Sequence, residues 1–475
     1  MEIQINSLKN IFLDYADNDF VVSENGVSIS YSDFWKQSSD FIDKLKSVGC
    51  QKGDILLIKL DNSVEYLQLY LACMRAGVIA CPVDPKLSSL RYEKFLSELN
   101  PKFIIDNLNQ KVITTNKNHI NFLSQYNLDG ISLMLFSSGT TGKPKGILHK
   151  SKSLIESAKS FSNLSGLCRA SIVLHHFPMY YMAGIFNMFL CPMVSGSKIV
   201  IGNQFTKKHM LNFWEISMKY GVNTLTLTPT MAIALVKVYR EDKRIHEYIR
   251  TIKSVISTGS YLYKSIFEKF NEKFSLKLQT CYGITEAGGT ITYKTKNNLN
   301  LYDSVGSYDK NTEFKCNGTS ELPSKVYVRT PYMFSGYFLN GKYEKFLSSN
   351  FFDTGDMGYI VKDQLYILGR TGDMIKKGGQ FVSISAIENE FINIPYIDEL
   401  SIIPIEDEFW GSKILLFYVP KTKIERIKEK LINHSKNLLN TIEQPDEYIE
   451  FDELPKTSVG KIIKKDLIKL YNEGK

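Results

Sequence analysis

Short apolar runs alternate with amphipathic stretches through the first two thirds of this 475-residue chain, and that alternation limits the folds open to it. Residues 55–60 read as a strand, 64–75 as a helix stopped by Gly77, and 78–83 as a second strand. The order recurs in residues 153–162 followed by 172–175, and in 208–220 followed by 223–227. Repeated strand–helix–strand units lay strands parallel and put helices on the sheet faces. The expected class is therefore α/β, with a large N-terminal domain of mixed, largely parallel sheets flanked by helices. So long a chain exceeds what one hydrophobic core serves. A strand-like run at 364–368 ends at Gly369-Arg370-Thr371-Gly372-Asp373, and a boundary is placed there. Residues 1–370 would form the large domain and residues 371–475 a small α+β domain.

Hydrophobic content of 43% and charged content of 23% suit a soluble globular protein. The segment from Tyr66 to Val83 is interrupted by Gln68, Arg75 and Gly77, so it reads as helix, turn and strand and not as a membrane span. Met1-Glu2-Ile3-Gln4 lacks the basic start and apolar run of a signal peptide. The seven cysteines (50, 73, 81, 168, 191, 281 and 316) contain no CxxC pair, and most sit in apolar contexts. Buried free thiols in a reducing cytoplasm are expected, without disulfides or zinc. Residues 1–370 carry 43 basic against 32 acidic side chains, whereas 371–475 carry 15 against 18. A basic body favours anionic small molecules. No basic block interleaved with aromatics points to nucleic acid.

The residues Ser137-Ser138-Gly139-Thr140-Thr141-Gly142-Lys143-Pro144-Lys145-Gly146 follow an apolar run at 131–136. Glycines bring backbone N–H groups against a ligand, hydroxyls donate to phosphate oxygens, and lysines balance their charge. The run reads as a polyphosphate cradle for the β,γ end of ATP. It is not a P-loop, because Gly142-Lys143 is followed by Pro144 where that motif needs Ser or Thr.

Four further motifs follow. In Tyr282-Gly283-Ile284-Thr285-Glu286 the ring could stack on adenine, while Thr285 and Glu286 reach an α-phosphate and Mg²⁺; a strand end with a helix cap at Thr285 would look the same. Asp356, in Phe352-Asp353-Thr354-Gly355-Asp356, is placed to accept from vicinal ribose hydroxyls or to form an Asx turn. Arg370 is a fork donor for the same ribose or a solvated charge. Lys461, in Pro455-Lys456-Thr457-Ser458-Val459-Gly460-Lys461, is a point cation for a phosphoryl transfer state or a solvated charge.

Taken in order, the loop, YGITE, the TGD turn, GRTGDMIK and PKTSVGK resemble the adenylate-forming superfamily of acyl-CoA synthetases, peptide-synthetase adenylation domains and beetle luciferases. Leu60-Asp61-Asn62-Ser63-Val64-Glu65, Pro82-Val83-Asp84-Pro85, Phe334-Ser335-Gly336-Tyr337 and Asp407-Glu408-Phe409-Trp410-Gly411 extend the likeness over nearly the whole chain. The resemblance implies two steps: a carboxylate attacks ATP to give acyl-AMP and pyrophosphate, then a thiol of CoA or of a carrier-protein phosphopantetheine takes the acyl group. It assigns Ser137, Ser138, Gly139, Thr140, Thr141, Gly142 and Lys145 to the β,γ-phosphates. Tyr282 goes to adenine, Asp356 and Arg370 to ribose, Thr285 and Glu286 to the α-phosphate, and Glu286 also to Mg²⁺. Lys461 becomes the catalytic lysine of the first step. The small domain would swing about the position of Gly372, bringing the loop 376–381 to the thiol's path.

Two departures bear on specificity. Many acyl- and aryl-CoA ligases carry His where Tyr181 stands here, and residues 171–190 hold no Asp or Glu to anchor an α-amino group. The implied pocket walls are Tyr181, Gly184, Thr258, Gly259, Ser260 and Cys281. The expected activity is ATP-dependent conversion of a fatty or aryl non-amino acid to its CoA thioester in the cytoplasm. The alternative is an enzyme loading an acyl carrier protein. A non-catalytic nucleotide-binding protein and a luciferase-like oxidase are further readings.

Overall fold

Leu56, Ile58 and Ala80 belong to one buried cluster, while Ile55, Leu57, Ile79 and Cys81 belong to another. Successive side chains of a strand point to opposite faces, so these two strands are covered on both sides. That is why they read as unbroken apolar runs. The computed structural model describes residues 2–87, 89–108, 113–114, 130–137, 145–206, 208–262, 264–294, 304–339, 342–378, 380–391, 394–421, 425–456 and 462–473. Residues 138–144 of the phosphate loop and Lys461 lie outside them.

The chain forms two compact units. The first comprises residues 1–314 and 328–352 and holds two large sheets. In one, Phe103–Ile105, Ile55–Ile58, Ile79–Pro82 and Ile131–Ser137 run parallel. Lys145–Lys150, Gly336–Leu339 and Lys342–Lys345 extend it antiparallel. In the other, Leu278–Thr280, Ser254–Ser257, Thr224–Leu227, Ile172–His175, Lys198–Ile201 and Asp19–Val22 are all parallel, with Ser28–Ser30 as an antiparallel edge. The α/β class of mixed, largely parallel sheets with flanking helices is thus observed.

The largest core joins strands of both sheets to the helices Glu2–Asp14, Tyr31–Ser47, Val64–Ala76 and Ser151–Ser165. The helix Val64–Ala76 starts where the Ser63 hydroxyl accepts from the Tyr66 N–H at 3.1 Å. It ends at Gly77, whose φ of 70° is a left-handed cap. The expected helix, turn and strand at 66–83 are therefore present. The stretch 208–220 divides into a 3-10 turn, His209–Asn212, and a helix, Phe213–Lys219. No helix among the described residues is long and apolar enough to cross a membrane. All seven cysteines are free; five are buried, Cys168 is exposed and Cys316 is half-buried.

The second unit comprises residues 315–327 and 353–475, so it takes in the segment before Arg370 as well as the one after it. Ile397–Asp407 and Gly411–Pro420 form an antiparallel pair, with Glu447–Glu450 parallel to the latter. Ile402, Ile414 and Leu416 pack with helices Ile384–Phe391 and Ile427–Leu438 on one face. Ile403, Leu415 and Phe417 pack with Lys464–Glu473 on the other. The strands Phe352–Val361 and Gln364–Arg370 form a further antiparallel ribbon.

Candidate active site

The two ends of the phosphate loop are fixed: Ser137 and Lys145 are partners in antiparallel register. On the far side of Lys145–Lys150 lies Gly336–Leu339, with Tyr337 opposite Ile147 and Phe338 opposite Gly146. This register sets the Lys145 ammonium 5.5 Å from the centre of the Tyr337 ring. The Tyr337 hydroxyl donates to Glu286 Oε1 at 2.9 Å. Burial and the neighbouring Glu286 carboxylate raise the Tyr337 pKa, so its proton stays on to serve that bond. Lys145, Tyr337 and Glu286 therefore form a line running from the base of the phosphate loop.

Glu286 is presented by tightly constrained backbone. Thr285 opens a three-residue 3-10 turn, Thr285–Ala287, which begins without a side-chain cap. The Glu286 carbonyl accepts from the Phe334 N–H at 2.8 Å. Gly289, at φ +112°, lies against the Phe186 ring, where a Cβ would approach within 2.6 Å. Tyr282 donates its backbone N–H to the Thr292 hydroxyl at 3.0 Å. Among the described residues only the Tyr337 hydroxyl engages the Glu286 carboxylate. Among the described residues the other carboxylate oxygen has no partner, which suits a hard cation. No group of three or more His, Cys, Asp or Glu side chains suited to a metal occurs among the described residues. Magnesium is commonly held by one or two carboxylates plus substrate phosphates, so this donor set fits it.

Of the expected pocket residues, Thr258 to Ser260 and Cys281 follow the carboxyl ends of parallel strands, where open α/β sheets bind ligands. Thr258 follows Ser254–Ser257 and Cys281 follows Leu278–Thr280. Gly259 and Ser260 are exposed, and Thr258 and Cys281 are buried. Burial pushes the Cys281 thiol up to about 12, against the opposing pull of the Thr258 and Thr290 hydroxyls. The Cys281 thiol is consequently held neutral and is not a nucleophile. Gly184 is required by packing, because a Cβ there would meet the Pro178 carbonyl oxygen at 2.1 Å. Tyr181 is 57% exposed, with its ring 4.7 Å from that of Tyr180.

In the second unit, Asp356 stands opposite Arg370 across the antiparallel ribbon. Asp356 is 4% exposed and its Oδ1 meets Arg370 Nε at 2.9 Å. Arg370 also donates to the Thr354 carbonyl at 2.8 Å. The Asx turn belongs to Asp353, whose Oδ1 accepts from the Gly355 N–H at 2.9 Å. Asp356 is therefore held by its partner strand, and Arg370, although 59% exposed, is tied to it. A Cβ added at Gly372 would meet no heavy atom within 4 Å, so packing does not demand glycine there. The hairpin Met374–Lys377 with Gln380–Ser383 is fastened by Lys377, which is nearly buried and bonds Asp446 at 2.7 Å.

Sequence reasoning gives no role to Tyr337 or to Asn62, although both lie in landmarks of the resemblance. The Asn62 amide donates to the Phe177 carbonyl at 2.7 Å and accepts from the Met179 N–H at 2.9 Å. It thereby holds the segment that leads to Tyr180 and Tyr181. His149, His175 and His176 are all wholly buried, and burial pushes their pKa values down to about 3, 3 and 4.

Comparison with known proteins identifies the family. The family model for the AMP-binding enzyme matches residues 12–338, and that for the AMP-binding enzyme C-terminal domain matches residues 386–461. The 2-succinylbenzoate–CoA ligase of Oceanobacillus iheyensis is 25% identical over 474 residues, covering 95% of this chain and 96% of the relative. A probable CoA ligase of Humulus lupulus, CCL5, is 25% identical over 504 residues, covering 95% and 90%. Among solved structures, ATP-bound MatB from Rhodopseudomonas palustris has a TM-score of 0.79 at 20% identity, covering 98% of this chain and 99% of that one. MenE from Bacillus subtilis, in complex with ATP and magnesium ion, has a TM-score of 0.78 at 19% identity, covering 97% and 98%. With a family model spanning most of its length, this chain belongs to the AMP-binding enzyme family and is an AMP-forming acid–thiol ligase.

Proposed function

We propose that this enzyme activates a non-amino carboxylic acid, fatty or aryl, with ATP and transfers the acyl group to CoA in the cytoplasm. The observation that carries this reading is the line of Lys145, Tyr337 and Glu286 at the foot of the phosphate loop. In the first step an acid oxygen attacks the α-phosphorus. The bond from that phosphorus to the bridging oxygen breaks, and pyrophosphate leaves with the electron pair. Lys145 and the loop residues Ser137 to Gly142 hold the β,γ-phosphates, and Lys461 offsets charge between acid and α-phosphate. Thr285 reaches the α-phosphate, Tyr282 stacks on adenine, and Asp356 with Arg370 holds the ribose. Magnesium, when bound through Glu286, offsets phosphate charge. In the second step the thiolate sulfur attacks the acyl carbon and AMP departs with the carbon–oxygen electron pair. Rotation at Gly372 separates the steps and brings in the hairpin that Lys377 anchors.

The absence of Asp and Glu from residues 171–190 supports a non-amino acid, since a buried ammonium without a carboxylate partner is costly. The named activities of the relatives support CoA as acceptor. The test is pyrophosphate release with ATP and Mg²⁺ across fatty, aryl and amino acids, with and without CoA. Release that CoA stimulates for one non-amino acid class is expected. Acid-dependent release that CoA leaves unchanged would instead favour a carrier-protein phosphopantetheine, and no release with any acid would refute the reading.

A further inference from the structure

Lys376 and Lys377 look alike in the sequence, but strand alternation separates them. In the hairpin Met374–Lys377 with Gln380–Ser383, Ile375 pairs with Val382 and Lys377 with Gln380. Side chains two residues apart share a face. Lys377 therefore turns inward with Ile375, which packs with Val382 against the core of the second unit, while Lys376 turns outward and is exposed.

A lysine is almost never fully buried unless it is paired, and the Lys377 side chain is only 5% exposed. Its ammonium meets Asp446 Oδ2 at 2.7 Å and also donates to the Gln444 carbonyl at 3.3 Å. Asp446 is itself locked to the strand Gly411–Pro420. Its Oδ2 accepts from the Ile414 N–H at 2.6 Å, and its own N–H donates to the Ile414 carbonyl at 2.8 Å. The turn of the hairpin is tied nearby, where the Gly378 N–H donates to the Trp410 carbonyl at 2.9 Å. Gly378 has a φ of +56°, and a Cβ there would come within 2.8 Å of Ile442.

Stability alone does not account for the ion pair. Exchanging a buried pair for apolar residues of similar volume is often neutral or stabilising. Position accounts for it better. The hairpin is a sheet of only two strands, and such a sheet has little stability of its own. The apolar contacts of Ile375 and Val382 are non-directional, so they seat the hairpin without fixing where its tip points. The charged hydrogen bonds are directional, and they act at the tip.

We infer that Lys377 and Asp446 are positioning residues for transfer of the acyl group to the thiol, holding the tip of this hairpin where the second half reaction requires it. The inference rests on the two-step reading above, in which this hairpin enters the thiol's path, and it deepens that reading by tying one ion pair to one step.

The experiment measures single-turnover rates of both half reactions in the full-length protein: pyrophosphate release with ATP and the acid that gives the fastest release, and thiolysis of the matching preformed acyl-AMP by CoA. Lys377→Met keeps most of the side chain's length and removes its charge. It should lower the ratio of thiolysis to pyrophosphate release about ten- to hundredfold, the scale on which displaced reaction geometry is felt. Asp446→Asn should lower the ratio in the same direction, and Lys377→Arg, which keeps the charge and the donor, should preserve most of it. The double variant should be no worse than the worse single one, because both changes break the same bond. The ratio is read within one protein sample, so partial loss of folded enzyme cancels. An unchanged ratio, equal loss in both half reactions, or loss confined to acyl-AMP formation would overturn the inference while leaving acid activation intact. Absence of pyrophosphate release with every acid, or of thiolysis by CoA in the unaltered protein, would instead refute the reading on which the inference rests.

Discussion

Replacing Tyr337 by Phe tests whether the tyrosine aims the Glu286 carboxylate. The change removes one hydroxyl and keeps the ring, which packs on Phe334 with centroids 4.7 Å apart. The lost bond, 2.9 Å to Glu286 Oε1, involves an ionised acceptor. Such a bond is worth about 1.5–3 kcal/mol net. At about 1.4 kcal/mol per factor of ten, its full loss corresponds to roughly a ten- to hundred-fold fall in kcat/KM for ATP. Glu286 keeps its charge, so the defect should concentrate in magnesium dependence: the half-saturating Mg²⁺ concentration rises, and excess Mg²⁺ restores part of the rate. Initial rates of pyrophosphate release across a Mg²⁺ series, at saturating acid, give both numbers. A thermal melt checks the fold, with a shift of only a few degrees expected. Unchanged rate and unchanged Mg²⁺ dependence would remove Tyr337 from the site. A uniform loss at every Mg²⁺ concentration would show that it does not act through the cation ligand.

Lys461→Ala should abolish acyl-AMP formation and spare thiolysis of preformed acyl-AMP; single-turnover assays of each half reaction decide, and equal loss of both contradicts the assignment. Asp356→Ala should raise the KM for ATP about tenfold or more and lower turnover, because it removes the carboxylate that Arg370 pairs with; kinetics that do not change would take Asp356 out of the ribose site. The buried histidines predict acid lability. His175 and His176 have folded pKa values depressed to about 3 and 4, so below the unfolded value of about 6.5 the unfolded chain binds protons that the folded chain refuses. Stability is full above that value and falls with pH, by about 1.4 kcal/mol per unit per histidine. Urea midpoints at pH 7.5, 6.5 and 5.5 measure the slope, and His175→Phe should flatten it by about one proton; identical slopes would refute the burial argument.

How far the fold could be read followed from where each constraint is stored. The strands at 55–58 and 79–82 were legible because burial on both faces leaves a local signature, an unbroken apolar run. The helix Val64–Ala76 was legible at both ends, since Ser63 and Gly77 act within one turn of themselves. The π turn at 186–190 was not legible. Its Phe186 packs against Gly289, far along the chain, and no local pattern records that contact. The same holds for Asp356. Two aspartates flank Thr354 and Gly355, and sequence alone gives no reason to assign the Asx turn to Asp353 and the ion pair to Asp356. Cross-strand register decides it, by setting Asp356 opposite Arg370. The five-motif order nonetheless pointed to the right family, because motifs record backbone and charge requirements of a shared ligand even when their tertiary partners are hidden. Residues 138–144 of the phosphate loop and Lys461, the most explicit of those motifs, lie outside the described residues, so their roles rest on the resemblance alone.

Asn62 shows why a landmark can be recognisable and still unexplained. Its side chain bridges Phe177 and Met179, far along the chain, and the Tyr70 hydroxyl adds a bond to the Met179 carbonyl at 3.1 Å. An amide offers a donor and an acceptor at fixed separation, which lets one side chain satisfy a carbonyl and an N–H two residues apart as a neighbouring strand would. Aspartate has no donor for the Phe177 carbonyl, and leucine offers neither group; each would leave buried backbone unpaired at about 1–3 kcal/mol per group. The segment so held carries Tyr180 and Tyr181 into the helix Met182–Ile185. The Asn62 amide therefore sets the position of a backbone segment from the middle of the chain. That dependence confines position 62 to a residue with both a donor and an acceptor.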